Sequence, residues 1–514
     1  MAPRTTSTTV SFRMVHLGLV WYYRRQGRTD ALAALFALRY IPRDWRTEMS
    51  LQAKRLLQWS LLILGIIAVI FLMASGRRAQ ASSSEARDID ALLTGVFKRN
   101  EPGGAVIVTR KGETLFRKGY GLADVELKVP IQPDMVFRLG SLTKQFTAVA
   151  ILMLEEQGKL SVTDPLTKFF PDYPTGGQTI TVEHLLTHTS GIKSYTSMPE
   201  WLSKWRTDMS LGSLIEMFKN QPADFKPDER WLYNNSGYIL LGAIIEKASG
   251  QTYEDFIEKK IFEPLGMKDS YYDRTEQIIP KRVKGYQRTA DGFQNAPYLS
   301  MTQPFSAGSL ASTVDDLALW DAAVWSNRLI KIESLAKAHT ARRLADGRST
   351  AYGYGWAVGS YEGHRTVEHG GGIHGFATFG LSMPEDGIYV AILTNGSAGP
   401  KVSPQRLAIQ MAGIAVGKPV HEPKPISMTP EQLKRYTGVY SERVNDEHTI
   451  SLEGSQLFWQ PRSGPKREIY PLSETEFFIK DSLTRIDFVL GPDGAPSRLV
   501  IRPRVGMETQ ATRK

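Results

Sequence analysis

A serine and a lysine stand three residues apart where a long apolar segment of the chain begins. The stretch 140–144, Gly-Ser-Leu-Thr-Lys, runs directly into residues 145–156, which are rich in helix-forming side chains. Positions i and i+3 share one face of a helix, so the hydroxyl and the amine would meet. A serine is a weak nucleophile unless a base takes its proton, and burial can lower the pKa of a lysine enough to make it that base. The spacing therefore predicts acyl-transfer chemistry with Ser141 as the nucleophile and Lys144 as its partner.

The same Ser-x-x-Lys spacing occurs four times, so the local context must distinguish the copies. The other three are Ser190/Lys193, Ser334/Lys337 and Ser463/Lys466. Ser463 lies in a turn sequence and Ser190 precedes a glycine that stops helices, while no strand-like run ends just before Ser334. Only Ser141 follows a strand-like run (135–139) and precedes a long helical segment. The alternative for Ser141 is an ordinary helix N-cap.

The positive charge of the chain is concentrated near its N-terminus. Residues 1–60 hold ten Arg or Lys against three Asp or Glu, a net charge of +7 out of +10 for the whole chain. The remaining residues carry only +3, so a basic nucleic-acid surface is a poor explanation of the charge. No nucleic-acid-binding motif is present either.

An apolar run over residues 59–76 follows this basic segment. Its length is at the lower limit for a bilayer-spanning helix, and Arg and Lys lie mostly on its N-terminal side. We therefore expect a membrane-anchored or exported protein whose catalytic domain lies on the non-cytoplasmic side. The run is either an uncleaved anchor or part of a secretory signal over residues 49–81, in which case residues 1–48 are a cytoplasmic extension or a misassigned start. A buried core helix is the third interpretation.

Composition and patterning predict five segments. They are a basic segment (1–55), an anchor or signal core (56–76), a linker (77–87), an α+β catalytic domain (88–415) and a β-rich C-terminal domain (428–505). An early hairpin (105–117) and a late hairpin (376–394) enclose a helical middle, which predicts an antiparallel sheet built from both ends of the domain with helices packed on it. Short strands with turn signals after residue 428 predict a small antiparallel sheet or barrel.

Helical patterning is found in the first segment of the catalytic domain and in its middle. The predicted helices are 88–100, 141–157, 181–188, 236–248 and 314–325. The one at 141–157 is apolar nearly all round, which is typical of a helix buried in a large core.

Several kinds of site are excluded or disfavoured by residue type. The chain has no cysteine, which excludes disulfides, thiolate catalysis and zinc–cysteine sites. His184 and His188 are four residues apart but lack the glutamate placement of a zinc helix, so structural or capping roles are favoured. A metal between His369 and His374 is the weaker alternative at that position. We therefore predict no metal and no cofactor.

Two further motifs follow the Ser-x-x-Lys motif. Tyr233-Asn234-Asn235 lies just before a predicted helix, and the stretch 369–372, His-Gly-Gly-Gly, follows a strand-like run at 365–368. Together the three motifs resemble the serine β-lactamase/penicillin-binding-protein superfamily, most closely its class C β-lactamase-like branch, which includes esterases, D-aminopeptidases and DD-peptidases. The resemblance covers roughly residues 88–415 and includes the accessory stretches 185–192 and 307–313.

The resemblance implies a fold and a set of catalytic roles. It implies an antiparallel sheet flanked by helices, of the β-lactamase/transpeptidase type, and a C-terminal domain similar to the lipocalin-like barrels appended to some members. Ser141 would attack an acyl carbonyl, and Lys144 and Tyr233 would move its proton to the leaving group. Asn235 would hold Lys144 and the substrate amide; which of Lys144 and Tyr233 is the base stays open.

The resemblance also implies that the strand motif at residues 369–372 binds the substrate. Backbone N–H groups of Ser141 and Gly372 would form the oxyanion hole, and the glycines, including Gly371, leave room for substrate. Penicillin-recognising members usually carry a lysine where His369 stands, and a histidine is mostly neutral at pH 7. The sequence therefore predicts a serine hydrolase acting on a small-molecule or peptide ester or amide. The alternatives are a penicillin-binding DD-peptidase or β-lactamase, and a catalytically silent, membrane-anchored binding or sensor protein.

Overall fold

The computed structural model describes residues 84–396, 403–441, 447–462, 464–480 and 482–514. The predicted basic segment and anchor or signal core (1–55 and 56–76) lie outside these residues, so the prediction of an N-terminal membrane helix is not tested. Within the described ranges, every helix is too short or too polar to meet the requirement for crossing a bilayer.

The strands form one large sheet, three small ones and a barrel. They are β1 (Gly104–Arg110), β2 (Glu113–Tyr120), β3 (Leu122–Asp124), β4 (Val129–Pro130), β5 (Phe137–Arg138), β6 (Tyr271–Tyr272), β7 (Tyr286–Thr289), β8 (Gly292–Asn295), β9 (Leu310–Ser312), β10 (Ala357–Tyr361), β11 (His364–Ile373), β12 (Phe376–Met383), β13 (Ile388–Thr394), β14 (Gly438–Ser441), β15 (Glu447–Glu453), β16 (Gln456–Pro461), β17 (Arg467–Pro471), β18 (Glu476–Phe478), β19 (Arg485–Leu490), β20 (Pro496–Arg502) and β21 (Thr509–Arg513).

The helices lie mostly between β5 and β10. They are α1 (84–94), α2 (Thr143–Glu156), α3 (Val182–Leu186), α4 (Pro199–Lys204), α5 (Leu211–Lys219), α6 (Asn235–Ser249), α7 (Tyr253–Ile257), α8 (Glu263–Leu265), α9 (Phe305–Gly308), α10 (Val314–Val324), α11 (Ile332–Ala338), α12 (Pro404–Ala415) and α13 (Pro430–Lys434), with 3₁₀ turns at Gly140–Leu142, Leu166–Lys168 and Tyr195–Ser197 and a π-helical turn at Glu258–Phe262.

The six-stranded sheet joins the two ends of the catalytic domain, as predicted. Its order is β10-β11-β12-β13-β1-β2, and every neighbouring pair is antiparallel. Strands β12 and β13 are apolar and buried along their whole length because helices cover both faces of the sheet. On one face lies the large core around α2 and α6, and on the other lie α1 and α12. The α+β fold with an antiparallel sheet is therefore confirmed.

Local sequence explains the two helices at the centre of the large core. Helix α2 is buried on nearly all sides, as its apolar sequence predicts. Helix α6 begins at an N-cap, Asn234, whose side chain accepts a 2.8 Å hydrogen bond from the Gly237 N–H. It ends at Gly250, whose φ of 72° provides a left-handed C-terminal turn. The two helices pack against each other and bring the ends that carry Lys144 and Asn235 together.

The C-terminal strands close into an eight-stranded barrel, β14 to β21. Its interior is filled by aromatic and aliphatic side chains, among them Tyr436, Tyr440, Phe477 and Phe488. Sequence analysis left a sheet and a barrel as alternatives because it did not identify β17 and β21. Strand β21 pairs with β14 and so closes the barrel. The barrel and the catalytic sheet belong to the same structural unit, residues 85–514.

Some predicted boundaries differ from those observed. The helix predicted at 88–100 is α1, which ends at residue 94 and continues as turns. The helix predicted at 141–157 begins as a 3₁₀ turn, and α2 starts only at Thr143. The strand-like run 135–139 contains the two-residue strand β5, which pairs with β9.

Candidate active site

Ser141 lies in the 3₁₀ turn that connects β5 to α2 and packs against strand β11. The preceding residue, Gly140, has a φ of 56°. A Cβ atom at this position would lie 3.0–3.1 Å from the backbone of Gly372, so only a glycine fits without displacement. The residue that caps α2 is Leu142, and no side chain serves as its cap. The N-cap alternative for Ser141 is therefore wrong, and its hydroxyl is not committed to the helix.

The Lys144 amine is fully buried and faces the Ser141 hydroxyl. Its Nζ lies 3.3 Å from Ser141 Oγ, 2.9 Å from Asn235 Oδ1 and 2.9 Å from the Ala307 carbonyl oxygen. A neutral amine has two N–H donors and one lone pair. Asn235 Oδ1 and the Ala307 carbonyl oxygen can only accept, so the two N–H groups point to them. The lone pair is then left for the Ser141 hydroxyl, which is the geometry of a base receiving a proton.

Burial keeps the Lys144 amine from holding a charge. It lowers the pKa of Lys144 well below the ordinary value of 10.5. Among the described residues no carboxylate forms an ion pair with this lysine. The other Ser-x-x-Lys lysines differ, because each is paired with an acid: Lys193 with Asp224, Lys337 with Glu155, and Lys466 with Glu453. Of the four lysines, only Lys144 is buried without a carboxylate partner in the described residues, which is the environment of a base.

Asn235 is held so that its carbonyl oxygen faces Lys144. Its amide nitrogen donates to Thr196 Oγ1 at 3.0 Å, and its backbone N–H donates to Ser194 Oγ at 3.2 Å. Because the amide nitrogen has its own acceptor, the oxygen is left for the lysine, and the assignment of the two amide atoms follows from this network. Both supporting hydroxyls lie in or next to the 3₁₀ turn Tyr195–Ser197.

Tyr233 stands beside the same amine. The Lys144 Nζ lies 4.8 Å from the centre of its ring, and the phenol oxygen is buried. Burial raises the pKa of the phenol, although the neighbouring Ser141 hydroxyl acts in the opposite direction. The oxygen makes no hydrogen bond of good geometry with any residue in the described ranges. It is therefore a protonated, unengaged hydroxyl close to both Ser141 and Lys144.

One histidine of the site, His188, is neutral. His188 lies 4.4 Å from the Tyr233 ring, and its Nδ1 accepts a hydrogen bond from the Asn234 N–H at 3.1 Å. Burial lowers its pKa well below 6.5. The side chains of Thr181 and His184 form the capping box of α3, in agreement with the structural or capping role predicted for His184. No group of three side chains that could hold a metal occurs within the described residues.

His369 is the second neutral histidine and lies on β11. Burial, together with the nearby Lys144, lowers its pKa to about 3. Its Nδ1 lies 2.6 Å from the Gly370 carbonyl oxygen, which can only accept, so the proton is on Nδ1. Its Nε2 lies 2.9 Å from Tyr352 Oη and therefore accepts from that hydroxyl. The Tyr352 hydroxyl thus orients the neutral His369 ring.

The structure brings Ser141, Lys144, Tyr233 and Asn235 into direct contact, and places the 369–372 segment beside them. Sequence analysis missed three supporting groups. The Ala307 carbonyl lies in a stretch that was recognised only as accessory, while Thr196 and Tyr352 have no local signal. All three act through contacts with residues far away in the chain, which spacing alone does not reveal.

Gly371 lies where β11 closely approaches the 3₁₀ turn Gly140–Leu142, called the nucleophile turn below because it contains Ser141. A Cβ at residue 371 would overlap the Leu139 carbonyl oxygen and the Thr378 hydroxyl, whereas no atom lies within 4 Å of one at residue 372. We expect Gly371→Ala to cost about 1–3 kcal/mol in the free energy of unfolding and Gly372→Ala to stay within about 0.5 kcal/mol, as measured by denaturant titration. Equal effects of the two variants would contradict the packing.

The buried neutral lysine predicts a pH-dependent stability. Below pH 10.5 the unfolded chain protonates residue 144 while the folded chain, down to its lowered pKa, does not. The wild type therefore gains stability as the pH rises through this window, by about 1.4 kcal/mol per pH unit. We expect Lys144→Met to lack this term, so the difference in unfolding free energy between the two proteins should change with that slope from just below pH 10.5 down to the lowered pKa of Lys144. A difference that is constant with pH would mean that the lysine is buried with its charge.

Comparison with known proteins places the chain in a family. The beta-lactamase family profile matches residues 86–412, and a domain of unknown function, DUF3471, matches residues 422–514. Penicillin-binding protein 4* of Bacillus subtilis (strain 168) is 28% identical over 83% of this chain and 98% of its own length. The octameric penicillin-binding protein homologue from Pyrococcus abyssi has a similar structure, with a TM-score of 0.60 and 26% identity over 83% of this chain and 99% of its own.

A second solved structure extends the similarity to an amidase. The D-amino acid amidase from Ochrobactrum anthropi SV3 has a TM-score of 0.56 and 25% identity, and covers 64% of this chain and 99% of its own. The family match spans more than half of the chain, and these relatives share its fold. The chain therefore belongs to the beta-lactamase family, within the superfamily of serine hydrolases that also includes penicillin-binding proteins.

Proposed function

We propose that this serine hydrolase cleaves an ester, amide or peptide bond through an acyl-enzyme on Ser141. One observation carries the assignment: the Lys144 amine, buried and without an ion pair in the described residues, lies 3.3 Å from the Ser141 hydroxyl. Its two other contacts use up its N–H donors. Such an amine has a free lone pair directed at the hydroxyl, and it meets the geometric condition for a general base.

The proton path follows from these contacts. As Ser141 Oγ attacks the acyl carbon, its proton moves to Lys144 Nζ and the carbonyl oxygen becomes an oxyanion. When the bond to the leaving group breaks, that group takes a proton from Lys144, directly or through the Tyr233 hydroxyl. Water then attacks the ester formed on Ser141 while the Lys144 amine accepts a proton from the water. The bond between Oγ and the acyl carbon breaks, Ser141 Oγ takes that proton from Lys144, and the acid product leaves. The unengaged phenol oxygen of Tyr233 supports its role as a relay.

Backbone N–H groups of Ser141 and Gly372 are proposed to bind the oxyanion. The close contact between Gly140 and the backbone of Gly372 supports this, because it brings the nucleophile turn next to the β11 strand. One donor of this kind contributes about 10²–10³ in rate. The open space beside Gly372 gives a substrate room to lie along the strand.

The neutral state of His369 affects which substrates the site can bind. A lysine at this position in penicillin-recognising members offers a charge to the substrate carboxylate. Here burial lowers the histidine pKa to about 3, and Tyr352 occupies its Nε2. We therefore propose that carboxylate recognition is weak and that esters or peptides are better substrates than penicillins.

The main alternative is a penicillin-binding DD-peptidase or β-lactamase. It is supported by the similarity to penicillin-binding protein 4* over nearly the whole of that protein. A silent binding or sensor protein is less favoured, because it would have no need of an uncharged lysine beside a serine hydroxyl. The barrel would be its ligand-binding part.

We also propose that the catalytic domain acts outside the cytoplasm. The support is the basic segment followed by the apolar run 59–76, which has the charge asymmetry of an anchor or secretory signal. Protease treatment of spheroplasts, whose cytoplasmic membrane is intact and exposed, would test this: a protected catalytic domain would contradict the proposal.

The substrate proposal predicts a preference for a short p-nitrophenyl ester over a chromogenic cephalosporin, measured as kcat/KM. We expect His369→Lys to move the preference toward the cephalosporin by about tenfold or more, because a lysine can pair with its carboxylate. His369→Asn, which stays neutral, is the matched control and should leave the preference with the ester. A wild-type preference for the cephalosporin would contradict the assignment.

The role of Lys144 predicts both a mutational and a pH effect. Ser141→Ala should abolish turnover, and Lys144→Arg should lower kcat/KM by about 10²–10⁴, because a guanidinium stays protonated and cannot act as a base. In the wild type, activity should be present near neutral pH and be lost as the pH falls through the lowered lysine pKa. A rate that rises only near the ordinary lysine pKa, 10.5, would contradict this role.

A further inference from the structure

A buried arginine of the barrel is inserted beneath the active-site strand. Arg504 lies in the loop between β20 and β21, yet only 9% of its side chain is exposed. Its guanidinium pairs with Glu368, which is 2% exposed, and donates to Thr366 Oγ1 at 3.2 Å. Both partners belong to β11, and Glu368 directly precedes His369. The C-terminal domain therefore contacts the strand that carries the proposed oxyanion and substrate groups.

The fit around this ion pair is close. The Gln405 amide at the start of α12 lies 3.4 Å from the same carboxylate, and the second oxygen of Glu368 is buried with no partner in the described residues. A Cβ at Gly359 of β10 would lie 2.5 Å from Val505 Cγ2. Leu483 of the barrel packs on the core beneath the sheet. Among the described residues, Arg504 is the one cation that pairs with the Glu368 carboxylate.

The Arg504–Glu368 ion pair lies directly behind the active-site residues of β11, so it can affect their positions as well as attach the barrel. Neighbouring side chains of a strand point to opposite faces, so Glu368 and Thr366 face away from the site while His369 faces it. Only the short strand β10 separates β11 from the edge of the sheet. Removal of one partner leaves a buried, uncompensated charge, which forces water or a proton into the space behind the strand.

We propose that Arg504 is a positioning residue for the active site. By neutralising Glu368 it fixes β11 against the nucleophile turn, and so fixes His369 and the Gly372 N–H relative to Ser141. This inference rests on the function proposed for Ser141, since its kinetic consequence needs that reaction. It assigns to the barrel a part in positioning the active site through a single side chain.

The test compares four variants of the full chain with the wild type. They are Arg504→Met, Glu368→Gln, the double variant, and Arg498→Met, an exposed barrel arginine that serves as the matched control. We expect Arg504→Met to lower kcat for a p-nitrophenyl ester by about 10- to 100-fold with little change in KM, because the reacting groups are misplaced. The double variant should regain part of this loss because neither charge is left alone, and Arg498→Met should match the wild type.

Stability is measured in parallel by thermal unfolding. A variant that melts at lower temperature but keeps the wild-type kcat well below its midpoint would overturn the proposal, because the pair would then serve only folding. Losses in kcat that simply multiply in the double variant would overturn it too. If Arg504→Met does not fold, Arg504→Lys replaces it: a lysine keeps the charge but loses the forked geometry, and an intermediate loss of kcat is expected.

A readout without turnover separates this inference from the proposed function. The His369 ring resonances, recorded by NMR and assigned with His369→Asn, should shift in Arg504→Met and stay unchanged in Arg498→Met. If the wild type cleaves no ester, amide or lactam, the proposed function fails while this shift still supports the positioning of β11. Unchanged resonances in Arg504→Met would overturn the inference whatever the activity.

Discussion

The structure depends on one costly arrangement, an amine kept uncharged by burial next to a hydroxyl. A lysine loses its hydration when it is taken into an apolar core, and the loss is tolerated only if the amine gives up its proton and finds acceptors for its remaining N–H groups. Helix α2 supplies the burial, because it is apolar on nearly all sides. Asn235 and the Ala307 carbonyl supply the acceptors. The Ser141 hydroxyl lies on the remaining side of the amine, where its lone pair points.

The rest of the site keeps charge away from that amine. His188 and His369 are neutral because burial lowers the pKa of both. The aromatic rings of Tyr233 and Tyr238 cover the amine, with their centres 4.8 and 5.2 Å from Nζ. A carboxylate or a water-filled space in their place would return the lysine to its ordinary protonation state. The nearest charged pair of the active-site strand, Arg504 and Glu368, lies on the opposite face of the sheet.

Much of this could be predicted from sequence because the chemistry is encoded in short motifs. The Ser-x-x-Lys motif, the tyrosine and asparagine before α6, and the glycine segment of β11 are each local, and so are the two hairpins of the sheet. Apolar runs also identified α2 and the buried strands. What sequence analysis missed depends on contacts between distant parts of the chain.

The missed features follow a common physical pattern. The Tyr352 hydroxyl, the Ala307 carbonyl and the Arg504 side chain act on groups 17, 163 and 136 residues away. Closure of the barrel required β21, a strand of mixed polarity whose partner β14 is far away in sequence. The beginning of α2 was placed too early because the 3₁₀ turn is shaped by the approach of Gly372. In each case a contact between distant parts of the chain, rather than the preference of the local sequence, determines the structure.

The protonation state of the Lys144 side chain is the most direct test of this account. Lysines labelled with ¹³C at Cε report protonation through their NMR shifts, and the Lys144→Met variant assigns the resonance. The account predicts that the Lys144 signal has the position of a neutral amine at neutral pH, while exposed lysines titrate near 10.5. A Lys144 signal that remains that of an ammonium group until the pH reaches the ordinary lysine range would contradict it.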